Sequence, residues 1–535
     1  MPVDPSSQTR RPLPIILIRG FGGLGVEDEK RIAYQGFNDG TVYTQKQGEN
    51  YIYEGMVLRF LKSGWRYEDA TNVVNYFGKP QSQKPHIPRE LLDAGFDEKF
   101  FFGGKVVIDP AMALALYKKE LFADDASKSL WVFRYYDLDE PNFDAYGKAL
   151  VRLIDFIAKM AEVHDEATGE RTPAKVNIIA HSMGGLLVRH AVQRTIPNQG
   201  RRAKDLINKI VTLGTPHGGI SFQIIKDWLP IRAEKELEAF NPDFQKAKYL
   251  DEPGDNGERV PNFDSYRWFG KFFPPERLLT VVGTNYRSYA IKPSSWLNRA
   301  FSVGGEFGPN YNRSDGLVKQ TLAQIPAEVG PDEVGFEDSY AGAPRTFVDK
   351  CHGGWDSLVT ARESFEIATR FFFGNVRARL RLIEGMITRG QDLFGKSEFY
   401  FGVSIKPRRV DFELFHQSKH AENCYGPFEQ LDLSDPPDKL AFGWAGPGRL
   451  IWEGWLDSSR VQADPVTGQQ DMVLRLEFYI GERDLFGIGF SDNLVYNKQY
   501  YVRALLPTDS KPLRLFLHDR EDFAREGYDP DEELF

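Results

Sequence analysis

Val176-Asn-Ile-Ile-Ala-His-Ser-Met-Gly-Gly-Leu-Leu-Val-Arg-His190 is a β-branched apolar run that passes directly into an amphipathic helix, with a serine at the junction. So sharp a turn needs small residues two before and two after the serine, and Ala180 and Gly184 occupy those positions. The pattern predicts a strand, then an elbow that holds Ser182 up and exposed, then a helix whose first N–H groups face any negative charge developing there. Ser182 is the candidate nucleophile.

Outward from the elbow, the chain keeps an alternating rhythm up to about residue 374. Short apolar runs at Pro14–Ile18, Leu130–Arg134, Ile210–Leu213 and Leu278–Val282 read as further strands. Between the second and the elbow strand, Ala149, Leu150, Leu153, Ile154, Ile157 and Ala158 recur at helical spacing within 142–163, the signature of a crossover helix. Strands alternating with helices predict an α/β fold, a mostly parallel sheet covered by helices on both faces. Two cap-like insertions, about 24–125 and 220–276, are too long for plain connections and are rich in aromatic residues, Pro and Gly. A helix over 356–373 then ends at Gly374 and Asn375, good helix-stop residues.

From residue 376 the pattern changes to alternating segments at 377–383, 398–405, 472–479 and 513–517, separated by turn-forming clusters. This predicts a C-terminal antiparallel β-sandwich, so the chain divides into domains at 1–375 and 376–535. With 535 residues, a large first domain plus a companion is the natural organisation. The acidic end, 529–535, reads as frayed.

Composition narrows the function. A net charge of −9 without a long basic stripe argues against a nucleic-acid partner. Two cysteines, Cys351 and Cys424, are too few for a disulfide framework, and the sequence does not say whether they pair. No apolar run reaches the roughly 18–20 residues that span a bilayer. The opening apolar run leads into a glycine loop rather than a cleavage site, so the expectation is a protein that stays in the cytoplasm or leaves without a cleaved signal, meeting lipid from the surface.

A serine hydroxyl needs a histidine to take its proton and a carboxylate to orient that histidine. Downstream, Asp315 sits in an Arg-Ser-Asp-Gly-Leu-Val turn after the 278–282 strand. His352 lies in Asp-Lys-Cys-His-Gly-Gly, between a β-like stretch (345–348) and a helix, with glycines to free its loop. Asp349 and Asp356 compete for the carboxylate role, the latter as a helix cap in its own right. His181, His190 and His217 belong to the elbow and its neighbours, where orienting or packing roles fit better. Upstream, Ile15–Ile18 ends in Arg19-Gly-Phe-Gly-Gly23, a loop that either forms an ordinary turn or aims backbone N–H groups at the same centre. In the second reading the loop resembles the oxyanion loop of lipases, which implies the Phe21 and Met183 amides as the oxyanion hole.

These motifs, with Leu213-Gly-Thr-Pro-His-Gly-Gly219, resemble the lipases and esterases of the α/β-hydrolase superfamily in kind and in order over residues 15 to about 374. Such lipases usually carry His-Gly where this chain has Arg19-Gly20. The resemblance implies a Ser182–His352–Asp315 triad, an acyl-enzyme, hydrolysis of carboxylic esters or lipids, and no cofactor. The same triad also serves phospholipases, thioesterases, amidases and acyltransferases; a reading of another class is a silent hydrolase fold used as a binding scaffold.

Aromatic and aliphatic residues of 220–276 either form a lid over an acyl pocket or pack a helical excursion onto the sheet. Asp392-Leu-Phe-Gly-Lys-Ser397 resembles the opening loop of the calcium- and phospholipid-binding domains of protein kinase C and synaptotagmin. Glu398-Phe399-Tyr400 replaces the usual Asp-Pro-Tyr, however, and Asp484-Leu-Phe-Gly487 repeats the turn, so no metal is assigned. The β domain is a candidate for membrane-surface contact.

Overall fold

Strands form where β-branched and aromatic residues run together with no polar face, which is the pattern of strands covered on both sides. In the computed structural model, β1 (Ile15–Ile18), β3 (Ser129–Phe133) and β4 (Val176–His181) are buried at every position. With β2 (Glu68–Asp69), β5 (Ile207–Leu213), β6 (Leu278–Gly283) and β7 (Arg345–Val348) they make a seven-stranded sheet in the order β7-β6-β5-β4-β1-β3-β2. The residues described are 12–20, 37, 41–42, 51–52, 55–70, 86–101, 110–118, 126–133, 135, 143–164, 168–220, 272–286, 314–325, 342–354, 356–385, 391–392, 395–408, 410–418, 421, 423–428, 450–461, 470–484 and 493–520.

The pairs β1–β3, β1–β4, β2–β3 and β4–β5 are parallel. From β1 the chain goes out to one edge, returns to β3, and then crosses to β4 on the other side of β1. The loops leaving β1 and β4 therefore diverge at a switch point, which opens a crevice at the carboxyl ends of those two strands. That crossover is helix α1 (Phe143–Met160), whose Leu150, Leu153, Ile154 and Ile157 are fully buried. Its Phe156 meets Trp131 of β3 edge-on at 6.0 Å. Helix α2 (Met183–His190) is buried along its whole length and is joined to α1 by a 2.9 Å bond between His190 Nε2 and Asp144.

Two departures from the sequence reading concern local chemistry. Strand β2 lies inside the segment read as an insertion and gives the sheet an edge. Helix α3 ends at Phe373 as expected but starts at Arg362, later than the expected 356. Ser357 N–H bonds Thr360 Oγ1, and Thr360 Oγ1 bonds the Ser357 carbonyl, so a side-chain turn replaces the first helical turn.

By contact density the chain forms two units. One comprises Met1–Thr280, Leu322–Pro326 and His352–Phe365; the other comprises Val281–Thr321, Ala327–Cys351 and Glu366–Phe535. The second unit carries antiparallel sheets. Strand β8 (Val376–Arg381) pairs with β10 (Leu450–Leu456), while β9 (Gly395–Pro407), β11 (Asp471–Asp484), β12 (Asn493–Leu505) and β13 (Arg514–His518) pair in succession. Glu453 of β10 is 3% exposed and accepts Arg377 Nε and Arg379 Nε of β8, each at 2.8 Å, so its charge is buried with partners. Gln391–Asp392 pairs back onto β9, making the calcium-loop look-alike part of a hairpin. Cys351, which is buried, and Cys424, which is half-buried, do not form a disulfide. No helix among the described residues is long and apolar enough to cross a membrane.

Candidate active site

Ser182 follows β4 with φ 53° and ψ −129°, a conformation that non-glycine residues avoid and that costs of order 1–3 kcal/mol. Among the described non-glycine residues, only Arg66 shares a positive φ. The strain is held by close packing. Ser182 N–H bonds the Leu213 carbonyl at 2.9 Å, and a Cβ on Gly184 would stand 2.6 Å from the Ile18 carbonyl oxygen. A Cβ on Gly20 would strike Ser182 Cβ and lie 2.8 Å from the Met183 nitrogen. The end of β1 is thus pressed against the elbow, and glycine is required there because main chain meets main chain. Ala180 is fully buried and pairs with Ile18 and Thr212.

His352, in the loop between β7 and α3, brings Nε2 to 2.9 Å from Ser182 Oγ. For Nε2 to accept the hydroxyl hydrogen, the neutral ring must carry its own proton on Nδ1. Both residues are 4% exposed, so the expectation of an exposed serine is not met: Gly20, Met183 and His352 close around it. His181 donates its Nε2–H to the His352 carbonyl at 2.8 Å, and the two rings lie 4.8 Å apart. Burial first, then the neighbouring His352 and Arg19, push the His181 pKa well below the ordinary histidine value; the bond to the carbonyl offsets this only in part.

A parallel sheet, a strained serine between strand and helix, and a histidine on a late loop are now in one frame. The fold is that of an α/β hydrolase. A family model described as the PGAP1-like alpha/beta domain matches residues 111–247, which include the elbow but neither Asp315 nor His352. No curated protein matches the sequence. Among solved structures the chain is similar to the mature lipase BlEst2 of Bacillus licheniformis, at 15% identity over 48% of this chain and 86% of that one, with a TM-score of 0.28. It is also similar to the product of gene lin2722 of Listeria innocua, at 13% identity over 67% and 93% with a TM-score of 0.28. Phospholipase PlaB of Legionella pneumophila follows at 13% identity over 73% and 82%, with a TM-score of 0.22. The fold rests on the strand order and the elbow, not on these likenesses.

Within this hydrolase fold, Asp315 is 1% exposed and its Oδ1 accepts the N–H groups of Leu317 at 3.1 Å and Val318 at 2.8 Å. Those bonds fix the carboxylate on its own turn. Asp349 is exposed and Asp356 half-buried, lying in a turn rather than capping α3. Phe21 lies outside the described residues, as do 221–271 of the segment read as a candidate lid. Met183 opens α2, where the first amide hydrogens have no partner within the helix. The Thr-Pro-His motif braces the elbow from behind: His217 Nε2 lies 3.0 Å from Thr212 Oγ1, and the His217 carbonyl accepts Arg189 Nη1 at 2.6 Å. Arg189 was not singled out by sequence reasoning. A charged residue in a buried-looking helix, followed by a Thr-Pro-His turn, is the signal that would have found it. Among the described residues, no group of three or more His, Cys, Asp or Glu side chains is arranged to hold a metal.

Proposed function

We propose that this protein is a serine hydrolase that cleaves carboxylic esters, as lipases and esterases do, through an acyl-enzyme on Ser182. The single observation that carries the reading is the 2.9 Å contact between Ser182 Oγ and His352 Nε2 at a strained strand-to-helix turn. Ser182 Oγ attacks the ester carbonyl carbon as its proton passes to His352 Nε2, and Asp315 orients the ring and stabilises the imidazolium. The carbonyl oxygen takes up negative charge against the amide of Met183, at the start of α2, and that of Phe21. Collapse of the tetrahedral intermediate expels the alcohol, which leaves with the His352 proton. Water, deprotonated by the same histidine, then releases the acid and restores Ser182.

The catalytic domain in this reading is 1–375, with 220–276 as its lid. Residues 376–535 form an accessory β-sandwich that brings the enzyme to an ester-rich or lipid surface. The test is pre-steady-state hydrolysis of p-nitrophenyl esters of increasing acyl length. A burst of nitrophenolate close to one equivalent of enzyme, absent from Ser182→Ala, is expected. A burst of the same size in Ser182→Ala would place the nucleophile elsewhere.

A further inference from the structure

Ser182 follows His181 directly, and His181 reaches 171 residues along the chain to the His352 main chain. One rigid strand end therefore holds both the peptide that carries the nucleophile and the carbonyl of the residue that carries the base. The His352 loop needs such a tether, because it contains Gly353 and Gly354, the latter at φ 100°. The tether's own geometry is fixed, since His181 is 4% exposed and ends a fully buried strand. A carbonyl only accepts, so the His181 proton sits on Nε2.

Building on the Ser182–His352 reading above, we infer that His181 is a positioning residue that sets the distance between base and nucleophile by donating Nε2–H to the His352 carbonyl. Its neutrality has a second consequence. During attack His352 becomes an imidazolium, and a cation 4.8 Å away would oppose that charge. A neutral imidazole supplies the hydrogen bond without the repulsion, and burial together with Arg19 keeps it neutral. Lysine or arginine at 181 would donate equally well but would compete with the charge on His352.

The test compares His181→Phe, which keeps a buried ring but has no donor there, with His181→Gln, which keeps a neutral N–H. Steady-state hydrolysis of p-nitrophenyl butyrate and the rate of fluorophosphonate labelling are measured on the full chain, beside thermal midpoints. Misplacing the base by about 1 Å predicts a loss of roughly 100-fold in kcat for His181→Phe with KM little changed. His181→Gln recovers most of that loss. Should His181→Phe fail to fold, His181→Met serves as the donor-free variant. The inference is overturned if the donor-free variant keeps the wild-type kcat and labelling rate, or if His181→Gln is as slow as the donor-free variant at equal thermal midpoint. Failure of the hydrolase reading looks different: the wild-type protein itself would not label at Ser182.

Discussion

His181 in the first unit is buried and His416 in the second half-buried, and their pKa values are displaced in opposite directions. His181 has a carbonyl as its partner, and burial, His352 and Arg19 push its pKa well down. His217, behind the elbow, is pushed down likewise by burial and then by Arg189. At His416 burial acts in the same direction, but the hydrogen bond and charge of Glu413, aided by Asp349 and Glu477, outweigh it and raise the pKa. Glu413 mirrors this: burial would raise its pKa, and the His416 and Ser404 hydrogen bonds with the His416 charge more than offset that, so it is lowered. Burial alone therefore favours the neutral histidine, and a carboxylate partner favours the cation. The first arrangement leaves room for one new positive charge, on His352; the second favours the protonated ring paired with Glu413.

The largest effect expected from this contrast is in catalysis. His352→Ala should lower ester turnover by about 10⁴-fold or more, the scale seen when one member of a nucleophile–base pair is removed. His416→Ala should leave turnover unchanged, and a comparable loss from it would break the distinction.

Packing at the elbow comes next. Gly20→Ala would drive a methyl group onto Ser182 Cβ and the Met183 nitrogen, and overpacking of this kind costs roughly 1–3 kcal/mol. Thermal unfolding and Ser182 labelling should both suffer. Full retention of both would mean that β1 does not press on the nucleophile.

A smaller loss, about 1 kcal/mol, is expected for Glu413→Gln, which removes a charge-assisted hydrogen bond from a half-buried site. The pH dependence sharpens the comparison further. His181 and His217 have folded pKa values below the unfolded value of 6.5, so the unfolded chain binds more protons as pH falls beneath it, and the first unit weakens toward acid. His416 has a raised folded pKa, so its contribution is full below 6.5 and is lost as pH rises through that folded value. Glu413 contributes above 4.5 and loses its share as pH falls through its lowered folded pKa. Amide exchange should therefore show β4 gaining protection from pH 5 to 7 while β9, beside His416, does not. Parallel trends in the two strands would contradict the assignment.

Much of the first unit was legible because its strands are covered on both faces, which leaves an unbroken apolar run such as Ile15–Ile18 or Val176–Ala180. The elbow was legible because its geometry excludes all but small residues at 180 and 184. Strand β2 was not, since two acidic residues, Glu68 and Asp69, have no period to read. Strand β10 hides behind Glu453, a charge mid-strand that makes sense only once Arg377 and Arg379 stand opposite it. Strand β12 runs Asn-Leu-Val-Tyr-Asn-Lys-Gln-Tyr-Tyr-Val-Arg-Ala-Leu, and its exposed Leu494 and Tyr496 blur the alternation that marks a half-buried strand. The His181 tether joins residues far apart in the chain, so no local pattern records it.

The most direct test of the central claim is labelling of the folded protein with a fluorophosphonate probe, with the modified residue mapped by mass spectrometry beside a Ser182→Ala control. Modification at Ser182 alone, lost in the variant, is the predicted result. A well-folded sample that stays unlabelled even with detergent present, or one labelled at another serine, would contradict the assignment of Ser182 as an activated nucleophile.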